Sequence, residues 1–495
     1  MGWARALLGL VAVAAAGALL LSGGSGADPR TPVGLPGEPP PFLGTAVAGS
    51  GGLTAAVDAY GDVVDLRVPG PTGRALVDNP SARQAAETVP ADTGIVPSVA
   101  IDGRGARPLW NADSVEQRYR PGTNVVVTTA WFGSVRVRVV YAVDGSRLAC
   151  LTDADPGTRI ELRSSEPAAR GRLRCDNRWA RTTIAAAERR DRRWLRRSHP
   201  LAASAPPWAQ RMYERSLLVL HALRDRHSGA VAAGARDGWA YVWPRDAAAV
   251  AIAFAGAGYH REAERTTRFL LGLDLEEAAR FHGDGSPVPG RPAQGDAIGW
   301  VAAAAQASGL IASAEHAARI LSPTYPLPWR DRADYQEGEP GDYLANAIAA
   351  GETEAPLYRE ESTLQLMRQL GDPDSGLDSA AAWAVEPFRR RELYPAARRT
   401  MLALAERGGR FGITPGEGWP GVDPWSAPTA WTAWSLAALG ERREALRLLA
   451  DLRRAAASAG TLPERVDHRT GVPTSTTPLA WSHAFAILAL RRLWP

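Results

Sequence analysis

The stretch DGWAYVWPRDAAAVAIAFAGAGY, Asp237 to Tyr259, decides the fold. From Ala247 to Ala257 it is apolar on every side. A helix built from it must be buried all round rather than half exposed. Pro244 suits the first helical position, where its fixed φ is already helical and its missing N–H costs nothing. Asp246 is favoured near a helix N-terminus, but Arg245 is not, and Trp239, Tyr241 and Trp243 crowd the same approach. Two readings follow: a buried structural ion pair, or a polar clamp with aromatic walls.

Working outward, hydrophobic residues recur with a period near 3.6 from HPLAASAPPWAQ to the C-terminus. Helices are expected to begin near Pro207, Pro244, His260, Gln294, Ile311, Asp342, Leu357, Asp378, Leu393, Pro428, Glu441 and Leu479. Many pair as hairpins across a short glycine turn, as at Gly440-Glu441. Apolar helices alternate with Arg/Glu-rich ones. This pattern predicts an all-α (α/α)6 toroid over residues 196–495, and the absence of a fixed-length consensus argues against a solenoid. Upstream, residues 43–195 carry short alternating β-branched runs broken by Gly, Pro and Asp, which predict an antiparallel β-sandwich. In SVRVRVVYAV, Val135, Val137 and Val139 share one face and Arg136 and Arg138 the other, so one side of that strand should be wet. ERRDRRWLRR, Glu188 to Arg197, reads as a solvated connector. Residues 28–42 are a Pro/Gly-rich linker. Residues 1–27 read as a secretory signal with cleavage after Ala27, or as a retained membrane anchor, and place the body outside the cytoplasm.

The 495 residues contain no lysine; 57 arginines stand against 53 acids. That near balance excludes nucleic acid as a partner. Cys150 and Cys175, the only cysteines, are expected to form a disulfide in an exported chain, and they are too few for a zinc site. No His-x-x-x-His pair suits a metal hydrolase, and no cofactor is called for.

Each apolar helix follows an unusual loop: Trp243-Pro-Arg-Asp246; RPAQGD ending at Asp296; GITPGEGWPGVDPWSAP with Glu417, Trp419, Asp423 and Trp425; and GTLPERVDHRTGVPTSTTPLAWSH. If the inner helices run parallel, these loops meet at one end of the ring in a pocket of carboxylates and indoles. An indole offers a flat face to the C–H surface of a sugar. Helix-borne Trp300, Trp383, Trp431 and Trp434 read as core; loop-borne Trp243, Trp419 and Trp425 read as pocket lining.

YVWPRDAAAVAIAFAGAGYHREAERTTRFLL, QGDAIGW and LPERVDHRTGVPTSTTPLAWSHAFAILAL together resemble glycoside hydrolase family fifteen, the glucoamylases and glucodextranases. The resemblance implies an N-terminal β-sandwich joined to an (α/α)6 barrel. It implies that Arg245 and Asp246 hold hydroxyls of a terminal glucose and that Glu464 is the catalytic base. In this family Trp-Glu-Glu tends to carry the general acid, whereas this chain has RADYQEGEPGDY, with Tyr335 and Gln336 at those positions. An amide cannot supply the proton, so either Glu337 or Glu339 takes the role through a shifted loop, Glu337 being the expected acid, or hydrolysis is lost and sugar binding retained. Arg465 stands where the family commonly has Gln, and should lower the pKa of the base.

The expected protein is an exported, inverting, exo-acting α-glucosidase acting on an α-glucan or oligosaccharide. Tyr241, Trp243, Arg245, Asp246, Asp296, Trp419 and Trp425 would bind substrate, and Glu464 and Glu337 would do the chemistry. A trehalase-like variant is close by. The alternative from another class is an idle carbohydrate-binding or cell-envelope protein on the same fold.

Overall fold

A computed structural model describes residues 44–78, 94–164, 166–236, 239–311, 348–349, 377–417 and 419–495. The expected signal or anchor, the linker, Glu337 and Glu339 lie outside the described residues. So do the helices expected from Ile311, Asp342 and Leu357, apart from residues 348 and 349.

The N-terminal domain has twelve strands among the described residues. β1 (Gly44–Gly49), β2 (Thr54–Asp58), β3 (Val63–Val68) and β4 (Arg74–Asp78) form one antiparallel sheet in sequence order. β7 (Ser114–Tyr119), β8 (Val126–Phe132), β9 (Val135–Asp144) and β10 (Arg147–Ala154) form a second, with the two-residue β12 (Leu173–Arg174) parallel at its edge. β5 (Val96–Ile101), β6 (Arg107–Pro108) and β11 (Thr158–Arg163) make a third. The expected sandwich is thus three sheets rather than two.

Two further expectations need correction. The Arg-rich connector is the second half of a helix, α1 (Asn177–Leu195), capped by Asp176, whose carboxylate accepts from Trp179 N. Its Ala180, Ile184 and Ala187 recur on one face and pack on Val125, Val127, Val140, Ala142 and Leu151. The β9 face carrying Arg136 and Arg138 is therefore wet only at its start. Farther along the strand α1 dries it. The connector's Trp194 is buried, stacked between His221 and Tyr259 with centroids 4.0 and 4.2 Å away. The second correction concerns the cysteines. Cys150 and Cys175 are both free thiols, one buried and one exposed, hydrogen-bonded to each other where β12 runs beside β10.

The helical domain comprises α2 (Pro207–Leu223), α3 (Pro244–Gly256), α4 (His260–Leu271), α5 (Ala297–Ala307), α6 (Tyr394–Arg407), α7 (Ser426–Ala438), α8 (Arg442–Ala455) and α9 (Ala480–Leu493). DSAAAWAV is a 3-10 segment, Ser379–Ala384, rather than an α-helix; Asp378 caps it at Ala380 N, and Pro387 follows too soon for another turn. Inner segments neighbour one another in the order α5, α3, α9, α7, then the 3-10 turn. Outer α4, α6 and α8 pack behind them with Arg/Glu faces outward. The middle of the array is filled by indoles from four inner segments. Trp300, Trp383, Trp431 and Trp481 meet edge to face at 5.1, 5.3 and 5.3 Å, with Phe485 completing the cluster.

α2 ties the two domains. Asn124 Nδ2 donates to Leu218 O (2.8 Å), Arg215 donates to Asn124 Oδ1 and Thr123 O (2.9 and 2.6 Å), and the Arg215 guanidinium lies 3.5 Å from the Tyr119 ring centroid.

Candidate active site

The inner helices do run with their N-termini at one end. Ala480 N at the start of α9 donates to Ala233 O in the loop before α3 (2.7 Å), and Ser426 N at the start of α7 donates to Glu464 O (2.8 Å). Trp425 and Arg465 form a β-bridge. Loops from three helix mouths are thereby stitched into one rim.

Pro244 opens α3, so Arg245 and Asp246 occupy its first turn, both buried. Arg245 Nη1 donates to Gln294 Oε1 (2.8 Å) and to Asp296 Oδ2 (2.9 Å); Nη2 lies 3.5 Å from Asp246 Oδ2. The guanidinium carbon sits 4.7 Å from the Trp481 ring centroid. Asp296 is the residue preceding α5, fully buried. Asp246 Oδ2 and Asp296 Oδ1 have no hydrogen-bond partner among the described residues. Burial pushes the Asp246 carboxyl up to about 7; Arg245 opposes this, and the nearby charges of Asp296 and Glu464 add to it. Arg245 and Asp246 thus form a buried ion pair, with Asp296 as the second carboxylate on the guanidinium.

Glu464 faces Asp246 within electrostatic reach. Its backbone is fixed at both ends, since its N–H donates to Thr476 O (2.9 Å) and its carbonyl accepts from Ser426 N. Its half-buried carboxylate accepts from Ser475 Oγ and from the Trp239 indole. Burial raises its pKa. The Ser475 bond, Arg465, the Trp239 bond and Arg291 pull it back, Arg465 in the direction expected from the sequence. Below it, Leu462 N donates to His483 Nε2 (3.0 Å), while Nδ1 of the same ring lies 2.9 Å from Ser216 Oγ. Burial pushes His483 down to about 3, so it is neutral and can accept that N–H.

Trp243, immediately before α3, is buried with the Arg291 guanidinium 5.5 Å from its ring centroid. Trp419 and Trp425 meet edge to face at 4.9 Å, beside Arg465. Trp300, Trp383, Trp431 and Trp434 are buried core, as their helical positions indicated. Tyr241 does not join the Arg245 network: its ring packs on His282 (5.3 Å) and Arg280 (5.1 Å) in a neighbouring cleft. Glu417 is also elsewhere, paired with Arg407 and accepting from Leu377 N. Asp423, Asp467 and His468 bring ligand-type atoms within 4.8 Å of one another. Asp467 Oδ1 caps its own turn at Thr470, and Asp423 accepts from His468 N and Thr474 Oγ1, so these donors are already engaged.

Sequence reasoning missed Gln294, Trp481, Ser475 and Arg291, while Trp239, read as crowding the approach to Arg245 and Asp246, reaches Glu464. One signal was available: Trp481 is the second residue of α9 just as Arg245 is the second residue of α3, so both sit at the same end of the helical array.

A family model described as Glycosyl hydrolases family 15 matches residues 207–275, the segment from α2 through Arg245 and Asp246 to α4. The resemblance to glycoside hydrolase family fifteen holds. The two-domain fold is also that of a bacterial glucoamylase solved in complex with acarbose, which aligns over 94% of this chain and 96% of its own at 12% identity, TM-score 0.62. A wild-type glycosidase structure aligns over 58% of this chain and 97% of its own at 23% identity, TM-score 0.46. The glucoamylase from Saccharomycopsis fibuligera aligns over 59% and 96% at 16% identity, TM-score 0.42. No curated protein matches the chain in sequence.

Proposed function

We propose that this protein is an exported, inverting, exo-acting α-glucosidase of glucoamylase or glucodextranase type, its helix pairs closing into an (α/α)6 toroid. The observation that carries the reading is the convergence of Glu464 and the Asp246–Arg245–Asp296 cluster, from distant parts of the chain, on one aromatic-walled rim. Arg245 and Asp246 hold hydroxyls of the terminal glucose, using the carboxylate oxygen left without a hydrogen bond. Trp243, Trp419 and Trp425 offer flat faces to the sugar ring. Glu464, whose pKa burial raises and whose ionised form Ser475, Arg465, Trp239 and Arg291 favour, activates a water. The proton for the departing oxygen comes from a second carboxylic acid, which in an inverting enzyme stands roughly 6.5–9.5 Å away to leave room for that water; Glu337 is the residue we assign. Export rests on the N-terminal segment, which also leaves open a retained anchor. No described helix is long and apolar enough to cross a membrane.

The test is to incubate the protein with maltose, isomaltose, panose, dextran and trehalose and to follow the anomeric proton of released glucose by NMR. β-Glucose appearing first supports the reading, and turnover of trehalose alone moves it to a trehalase. Glu464→Gln should cut kcat by at least about a hundredfold, as loss of a general base does, while still binding sugar. A second reading, a sugar-binding protein without turnover, is favoured by Gln336 at the family's acid position. Binding with no glucose released from any glycan would select it.

A further inference from the structure

Beside the rim lies a cleft of about 980 Å³, between the β3–β4 hairpin of the first domain and two turns of the helical domain, and nothing above gives it a task. It is at the upper end of the roughly 300–1,000 Å³ common for small-ligand sites.

The cleft has built walls. Gly70 of the hairpin packs so closely on the Asp225 carboxylate that a Cβ there would lie 2.5 Å from Oδ2, and Gly283 packs against Thr72 in the same way. Asp225 Oδ1 in turn accepts from His227 N (2.7 Å), Ser228 N (2.7 Å) and Ser228 Oγ (3.1 Å). The hairpin is therefore seated on the helical domain at two points, and the space between them is fixed in shape.

Its lining has a definite chemistry. Arg74 offers donors, Arg67 lines the wall with its guanidinium paired to Asp65, Ser228 and Ser286 donate to Asp225 and Asp284 in two hydroxyl–carboxylate pairs, and the half-buried Tyr241 supplies one aromatic face. Two cations against two anions do not select a charged ligand, and the absence of large aliphatics among the lining residues does not select an apolar one. Mixed donors and acceptors around one aromatic ring suit a neutral polyhydroxyl compound.

The cleft also adjoins the rim along the chain. Tyr241 and Trp243 stand two residues apart on the strand-like approach to α3, where Val242 bridges Phe281. Arg280 lies on the Tyr241 ring and Arg291 on the Trp243 ring, and Arg291 is within electrostatic reach of both Arg280 and Glu464.

We infer that this interdomain cleft binds the distal sugar units of a longer oligosaccharide whose terminal unit sits at Arg245 and Asp246, and that the β-domain hairpin sets chain-length preference. The inference rests on the proposed hydrolase reading, and its test separates the two. Turnover of any α-glucan by the wild-type protein decides the reading. The ratio of kcat/KM for maltohexaose to that for maltose decides the cleft. Arg74 is exposed, so Arg74→Ala leaves folding intact; this variant and Tyr241→Ala should each lower the ratio about threefold to tenfold, the scale of one aromatic or polar contact. An unchanged ratio in both variants overturns the inference even if the wild type hydrolyses glucans. If the wild type hydrolyses none, calorimetric titration of maltohexaose into the wild type and Arg74→Ala takes over. Weaker binding to the variant upholds the cleft, and equal binding or none overturns it.

Discussion

Two buried carboxylate pairs in this chain differ in an instructive way. In the β2–β3 turn, Asp58 accepts from Tyr60 N (2.8 Å) and Asp62 N (2.9 Å), and burial raises the pKa of both the Asp58 and the Asp62 carboxyl groups, which lie within electrostatic reach of each other. Burial raises Asp58 to about 7, as it does Asp246. An arginine is close to each, Arg236 to the first and Arg245 to the second. Perturbation alone does not tell them apart. What differs is origin: Asp58 and Asp62 lie four residues apart in a turn held by its own backbone, whereas Asp246, Asp296 and Glu464 arrive from three inner-helix mouths. Burial produces a raised carboxyl wherever it occurs. Convergence of side chains from separate loops, reaching a half-exposed acid and indole walls, is what marks a place for substrate.

The comparison is broken most severely at Arg245. Arg245→Ala leaves Asp246 and Asp296 buried without their cation, and breaking a buried pair this way costs about 3–5 kcal/mol; a drop in Tm together with lost turnover is the expected result. Asp246→Asn separates stability from function. Hydrogen bonds to a charged group are worth about 1.5–3 kcal/mol, so kcat/KM should fall roughly tenfold to a hundredfold. Stability should move the other way. Below pH 3.8 this carboxyl is protonated in folded and unfolded chains alike; between there and about 7 the unfolded chain releases its proton while the folded chain retains it. The stability contributed by the protonated group is lost across that window, so the Asn variant should gain Tm relative to wild type at pH 8 and little at pH 4, measured by calorimetry.

The inner helices were legible because α3, α5, α7 and α9 are apolar on every side, which no surface helix is. Arg245 and Asp246 were legible because they contradict that setting locally. Gln294 and Trp481 were not, since each matters only through its contact with Arg245 on another segment, 49 residues away in one case, and no periodicity encodes that. Charge hid α1: ERRDRRWLRR reads as solvent-facing, yet Asp191 and Trp194 within it are buried. Tyr241 was placed with Trp243 by proximity in sequence, but its ring belongs to the adjoining cleft. The cysteines come together as expected but as thiols, because lateral pairing of β12 with β10 brings them side by side without requiring a bond.

Asp58→Asn sharpens the contrast from the other side. Its carboxyl shares the window of Asp246, so the same gain in Tm at pH 8 is expected, but turnover should not follow it. A loss of kcat in this variant would mean that the turn acts on the rim through Arg236, and the two pairs would no longer be separate.

The smallest effect is at Ser475, and it tests the base most directly. Its hydroxyl donates to Glu464 and so favours the ionised form, opposing the burial that raises the pKa. Ser475→Ala removes that donor while leaving the Trp239 bond and both arginines in place. The pKa of Glu464 then rises further, and because the base must be ionised to activate water, the acidic limb of the kcat/KM profile should move to higher pH with the plateau little changed. Arg465→Gln should move the same limb in the same direction through charge alone. An acidic limb indifferent to both substitutions would mean that it reports another group, and Asp246, the other raised acid of the rim, would be the one to examine.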